Sequence, residues 1–157
     1  MRLTLIVLML FFSADLIAQV RPRPKDRKAN SLIEQRRTES EAQSGEFQSL
    51  VRRIEKELAE GDVSGFAADF SEQVTMHVGG GETGTYSTAQ ASALLQNYFS
   101  FRKPISFAFS RTNATPPILF ATGRLTFVYK GSQESVQVYV SFARQNGRWA
   151  IVQFNLY

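Results

Sequence analysis

At Pro104 the apolar pattern of this 157-residue chain changes period, and that change constrains the fold more than any other feature. Before it, apart from a short stretch at residues 74–78, apolar residues recur every three or four positions; after it, they recur every second one. Phe47, Leu50, Val51, Ile54 and Leu58 make one stripe, with Arg52, Arg53, Glu55, Lys56 and Glu57 around the rest of the turn. That spacing predicts an amphipathic helix from about Glu46, ended by Gly61, which tolerates the left-handed cap conformation. Asp62 then predicts the cap of a short second helix bearing Val63, Phe66 and Phe70. Val74, Met76 and Val78 alternate with Thr75 and His77, a short strand stopped by Gly79-Gly80-Gly81. Ser87 caps a third helix to about Phe101, buried through Ala91, Leu94, Leu95, Tyr98 and Phe99.

Beyond Pro104 four strands follow. Ile105, Phe107 and Phe109 mark the first, and Leu119, Ala121, Gly123, Leu125, Phe127 and Tyr129 the second. Val136, Val138, Val140 and Phe142 mark the third, and Trp149, Ile151 and Phe154 the last. Lys130-Gly131-Ser132 is a hairpin turn. Asn146-Gly147 is a stronger one, because Asn-Gly supplies the positive φ angles of a tight hairpin. Helices first and a strand meander later predict an α+β domain. It would comprise a curved antiparallel sheet of four main strands plus a short N-terminal strand, wrapped around three helices. The domain is expected over residues 46–157.

The first 45 residues have a different composition. Leu3–Phe12 is an almost unbroken apolar run behind Arg2, and Leu16-Ile-Ala18 ends with a small residue, the plan of a secretory signal. Residues 1–18 are expected to be cleaved near Ala18, giving a periplasmic or extracellular protein. N-terminal sequencing of the exported protein should return Gln19; an intact Met1 would contradict cleavage. Residues 19–45 hold seven basic and four acidic residues, and residues 46–157 ten and nine, so the basic character belongs to the linker. This linker is expected to be mostly disordered, with residues 31–44 disordered or a frayed helix leading into the domain, and Arg21, Arg23, Lys25, Arg27 and Lys28 could rest on an anionic surface. Because the domain concentrates no such charge, nucleic acid is not an expected partner.

Cysteine is absent and His77 is the only histidine, which excludes disulfides, thiol chemistry and zinc held by histidine and cysteine. No cofactor or metal is expected. Gly79-Gly80-Gly81-Glu82-Thr83-Gly84 fits G-x-G-x-x-G literally, but no helix starts at the loop and Glu82 would face the phosphate, so it reads as a turn. Gly61-Asp62-Val63-Ser64-Gly65 lacks the spacing of a nucleophile elbow.

The element order resembles the nuclear-transport-factor-two-like superfamily. The carrying residues are the first-helix stripe, Gly61-Asp62 with Phe66 and Phe70, the Val74–Val78 strand, and the closing Asn146-Gly147-Arg148-Trp149-Ala150-Ile151. Gly84-Thr85-Tyr86-Ser87 before Ala89, Gln90 and Ala91 narrows the likeness to a family of small exported proteins of Bacteroidota-type bacteria, with no assigned activity. The resemblance implies a cone-shaped domain with a cavity at its mouth, and fixes no catalytic residue.

The functional expectation is an exported binding or interaction module, with a small molecule, a peptide or an envelope protein as partner and a homodimer as one possible state. Arg124, Tyr139, Tyr129 and Tyr86 are the candidate binding residues. Two alternatives stand beside it. One is a small isomerase- or dehydratase-like enzyme using His77 and Asp69 as an acid/base pair. The other is a structural envelope component with a basic arm.

Overall fold

The computed structural model describes residues 24–81 and 83–157, with side chains from residue 30 onward. The signal segment, Arg21, Arg23 and Glu82 lie outside the described residues, as do the side chains of Lys25, Arg27 and Lys28. Two compact units divide the chain, Met1–Arg37 and Thr38–Tyr157.

Helix α1 runs Pro24–Glu60, far longer than the stripe from Phe47 predicts. From residue 24 to 44 the sequence is rich in Lys, Arg, Glu, Gln and Ala and has no glycine, and Pro24 stands at the first helical position, where a missing N–H costs nothing. Residues 30–46 are exposed, so backbone propensity rather than burial shapes this stretch. The linker, expected to be mostly disordered with disorder or frayed helix over residues 31–44, is helical from Pro24. In the second unit, Phe47, Leu50, Val51, Ile54 and Leu58 enter the core.

Gly61 ends α1 with φ +75°, and the Asp62 N–H donates to the Glu57 carbonyl at 2.9 Å. The expected second helix does not form. Asp62 Oδ1 accepts from the Ser64 N–H at 2.8 Å and from its hydroxyl at 2.5 Å, an Asx turn that competes with helical pairing. The hydroxyl contact, with the amide behind it, holds the Asp62 carboxyl below its ordinary range. A single 3-10 turn, Ala67–Asp69, follows, and Phe70 opens a strand instead of closing a helix.

That strand, β1, is Phe70–Val78, and β2 is Gly84–Ser87. The glycine run between them is a turn: the Gly81 N–H donates to the Val78 carbonyl at 3.1 Å, and β2 returns antiparallel to β1. Helix α2 spans Thr88–Ser100 behind a capping box, with the Ser87 hydroxyl accepting from the Gln90 N–H and the Gln90 side chain accepting from the Ser87 N–H. Strands β3 (Lys103–Asn113), β4 (Leu119–Tyr129), β5 (Ser132–Gln145) and β6 (Arg148–Leu156) form the meander.

The sheet has six strands in the order β2-β1-β6-β5-β4-β3. β1 lies parallel to β6, with Met76 opposite Phe154 and His77 opposite Asn155, so the sheet is mixed rather than antiparallel throughout. The expected four main strands, short N-terminal strand and three helices become, among the described residues, six strands, two helices and one 3-10 turn. Alternation predicts strand identity but not which strand β1 joins, since pairing is set by long-range closure.

One side of the sheet carries the core. Val74, Met76, Leu125, Phe127, Val138, Val140, Phe154 and Leu156 are all buried against residues of both helices. Gly123 sits on this side because nothing larger fits: a Cβ there would lie 2.3 Å from the Ala108 carbonyl oxygen. Ile105, expected inward, is 51% exposed. A register shift between Pro104 and Ser106 breaks the alternation at that point.

Candidate functional site

The β5–β6 hairpin closes through Asn146 and Gly147, with φ +50° and +81°. This tight turn sets Arg144 opposite Trp149 and Gln145 opposite Arg148. It thereby brings two guanidiniums and the only tryptophan of the chain to the end of the sheet nearest α1. A cleft of about 680 Å³ opens there, between residues 39–53 of α1, Asp69 and the hairpin.

The Trp149 indole N–H donates to the Gln43 carbonyl at 3.1 Å, and its ring packs edge-on to Phe47 at 5.7 Å. The Arg144 guanidinium lies 5.5 Å from the Trp149 ring and donates to the Gly147 carbonyl at 2.7 Å, with Glu46 at 3.6 Å. Arg53 Nη2 meets Asp69 Oδ2 at 2.6 Å. Arg148 Nη1 donates to the Ala68 carbonyl at 3.0 Å, and Arg148 has no ion pair among the described residues. A second cleft of about 540 Å³, lined by Ala68, Ser71 and Thr88 among others, shares Arg148 with the first. Arg148 therefore stands at the junction of the two. A guanidinium carries five N–H donors, so one carbonyl leaves most of its donors for another acceptor.

The proposed acid/base pair is not a pair. Asp69 precedes β1 and is held by Arg53; His77 lies near the other end of that strand. Eight residues of extended chain put them roughly 25 Å apart. The His77 side chain points away from the core: Nδ1 shares a hydrogen bond with Thr83 Oγ1 at 3.2 Å and the ring stacks on Tyr157 at 5.4 Å, while the His77 backbone N–H donates to Asn155 Oδ1 at 3.1 Å.

The four candidate binding residues also separate. Arg124 and Tyr139 stand on the outward side of the sheet, where the Arg124 guanidinium donates to Ser135 Oγ at 3.2 Å and Tyr139 stacks on Phe120 at 5.8 Å. Tyr129 and Tyr86 are instead partly buried against the core. The Arg102 guanidinium lies between the Tyr129 and Tyr98 rings, 4.4 and 4.1 Å from their centroids. Burial raises the Tyr98 phenol above its ordinary range, against the pull of Arg102.

Sequence reasoning missed Arg53, Arg144, Arg148 and Trp149 as a group. The usable signal was the Asn146-Gly147 turn, which makes neighbours of the residues flanking it. No sequence signal pairs them with Gln43 and Arg53, which reach the cleft from a helix about a hundred residues earlier.

Residues 51–156 match the family model described as a domain of unknown function, DUF4783. The chain belongs to the DUF4783 family. A DUF4783 family protein of Bacteroides uniformis superposes with a TM-score of 0.61 at 15% identity, over 67% of this chain and 93% of that one. One from Bacteroides ovatus gives 0.59 at 14%, over 66% and 90%. An NTF-2 like protein of unknown function from Shewanella oneidensis gives 0.53 at 12%, over 71% and 96%. These likenesses show that the chain shares the fold of these proteins, one of them described as NTF-2 like. No curated protein matches the chain.

Proposed function

We propose that this protein is an exported, non-enzymatic binding module, and that the cleft beside Trp149 receives its ligand. The observation that carries the reading is Arg148, a guanidinium at the junction of two clefts with a single backbone carbonyl for partner. The ligand is a small molecule or peptide that presents an acceptor to Arg148 and an apolar part to Trp149. The lining carries three arginines and three carboxylates (Glu39, Glu46 and Asp69), which favours local pairing over attraction of bulk negative charge. Export is supported by the tripartite plan of residues 1–18.

Trp149 is the sole tryptophan, so intrinsic fluorescence reports on this cleft alone. Titrating the full chain with a panel of carboxylate-bearing metabolites and short peptides should give a saturable change in Trp149 emission. Arg148→Gln should weaken it about tenfold, the loss of one charge-assisted hydrogen bond. A compound that binds without altering Trp149 emission, and equally well to Arg148→Gln, would place the site elsewhere.

A further inference from the structure

The outward side of the sheet is chemically unlike the cleft. Its register sets His77, Asn155, Tyr139, Thr122 and Arg111 directly opposite one another across β1, β6, β5, β4 and β3. Five strands at about 4.8 Å spacing make this rung roughly 19 Å long. Beside it the Phe120 and Tyr139 rings stack at 20° between their planes, and the Arg111 guanidinium lies 5.7 Å from the Phe120 ring.

Among the described strand residues, charge on this side is of one sign. The outward register positions hold Lys103, Arg111 and Arg124, all exposed, and no aspartate or glutamate. The two acidic residues within the described strands stand elsewhere: Glu134 pairs with Phe127 on the core-side register, and Glu72 falls within the register shift of β1. Neither Arg111 nor Arg124 has an ion pair among the described residues; Arg124 has only Ser135 Oγ. Around them lie hydroxyls and amides, including Thr75, Thr122, Thr126, Gln137 and Gln153, able to donate and accept.

We propose that this face binds an acidic polysaccharide, a chain of sugars bearing carboxylates. Cations without counter-charges call for an anion. The hydroxyl and amide side chains suit sugar hydroxyls, and the Phe120–Tyr139 pair offers an apolar surface to a sugar ring. A face of already paired strands suits a peptide poorly. The inner strands of the rung, β6, β5 and β4, have their backbone groups already bonded within the sheet, so a peptide lying across the face would find few backbone partners there. A second copy on the same face would bring Lys103, Arg111 and Arg124 together, with no carboxylate among the described strand residues of the face to offset them.

The test is affinity electrophoresis of the full chain through gels containing polygalacturonate, dextran or polyglutamate. Polygalacturonate should retard the chain, and retardation should fall as salt rises. Arg111→Gln/Arg124→Gln should weaken it at least roughly tenfold with the melting temperature unchanged. Tyr139→Ala should weaken it several-fold. Arg148→Gln should leave it intact, so the face and the cleft can fail separately. Retardation by dextran as strong as by polygalacturonate would overturn the role of charge. Equal retardation by polyglutamate would overturn the sugar specificity. No retardation, or a loss confined to an Arg21→Gln/Arg23→Gln variant, would remove the face from consideration.

Discussion

Phe154 and Asn155 are neighbours on β6, and both are almost fully buried, 0% and 2% exposed. They are buried by different means. Phe154 points inward and stacks on Phe66 at 6.1 Å, with Phe70 edge-on at 6.3 Å. Asn155 points outward beneath His77 and Tyr157, accepting from the His77 N–H and donating to the Tyr157 hydroxyl at 2.6 Å. One side of the sheet is closed by apolar packing, the other by a small polar clasp in a surface otherwise open to water. Stability is concentrated on the first side. The second retains aromatic and cationic groups that no packing requirement explains.

The largest expected effect is on the inward side. Phe154→Ala removes a ring from the centre of an aromatic cluster bridging β1, β6 and the turn before β1. It should cost about 3–5 kcal/mol, because the lost burial and the cavity left behind add. Urea denaturation of the full chain followed by far-ultraviolet dichroism measures it as a fall in the midpoint. A loss below about 1 kcal/mol, the range of ordinary surface changes, would mean that the cluster is not what holds β1 to β6, and the contrast between the two sides would collapse.

The inward side was legible because alternation and helical period are local properties. The stripe from Phe47 to Leu58, the Ser87 cap and the Asn146-Gly147 hairpin all appear at the expected positions. The misreadings share a cause, a local competitor or a distant partner outweighing a pattern. Asp62 chose Ser64 over a helix. Residues 24–45 became helical through propensity without any apolar stripe. β1 found β6, some eighty residues away. Site residues suffer most from this, since His77 and Asp69 look paired only until β1 is seen to hold them apart. Arg53 and Arg148 look unrelated until the fold brings them to one cleft.

Asn155→Ala tests the other side of the comparison and should have the smaller effect. The substitution leaves the His77 N–H without its acceptor and the Tyr157 hydroxyl without its donor. Stranding a buried polar group costs about 1–3 kcal/mol, and Tyr157, 59% exposed, can recruit water in place of the lost amide. The expected loss is therefore in the lower part of that range, well short of Phe154→Ala, in the same urea titration. Tyr157→Phe separates the two bonds: it removes the hydroxyl while leaving the Asn155–His77 contact, and should cost less again. If Asn155→Ala were as damaging as Phe154→Ala, the outward side would be a second core, its rings and guanidiniums serving the fold. If the loss is small, those groups are not held in place by stability, and the acid-free row from His77 to Arg111 has to be understood through what it contacts in solution.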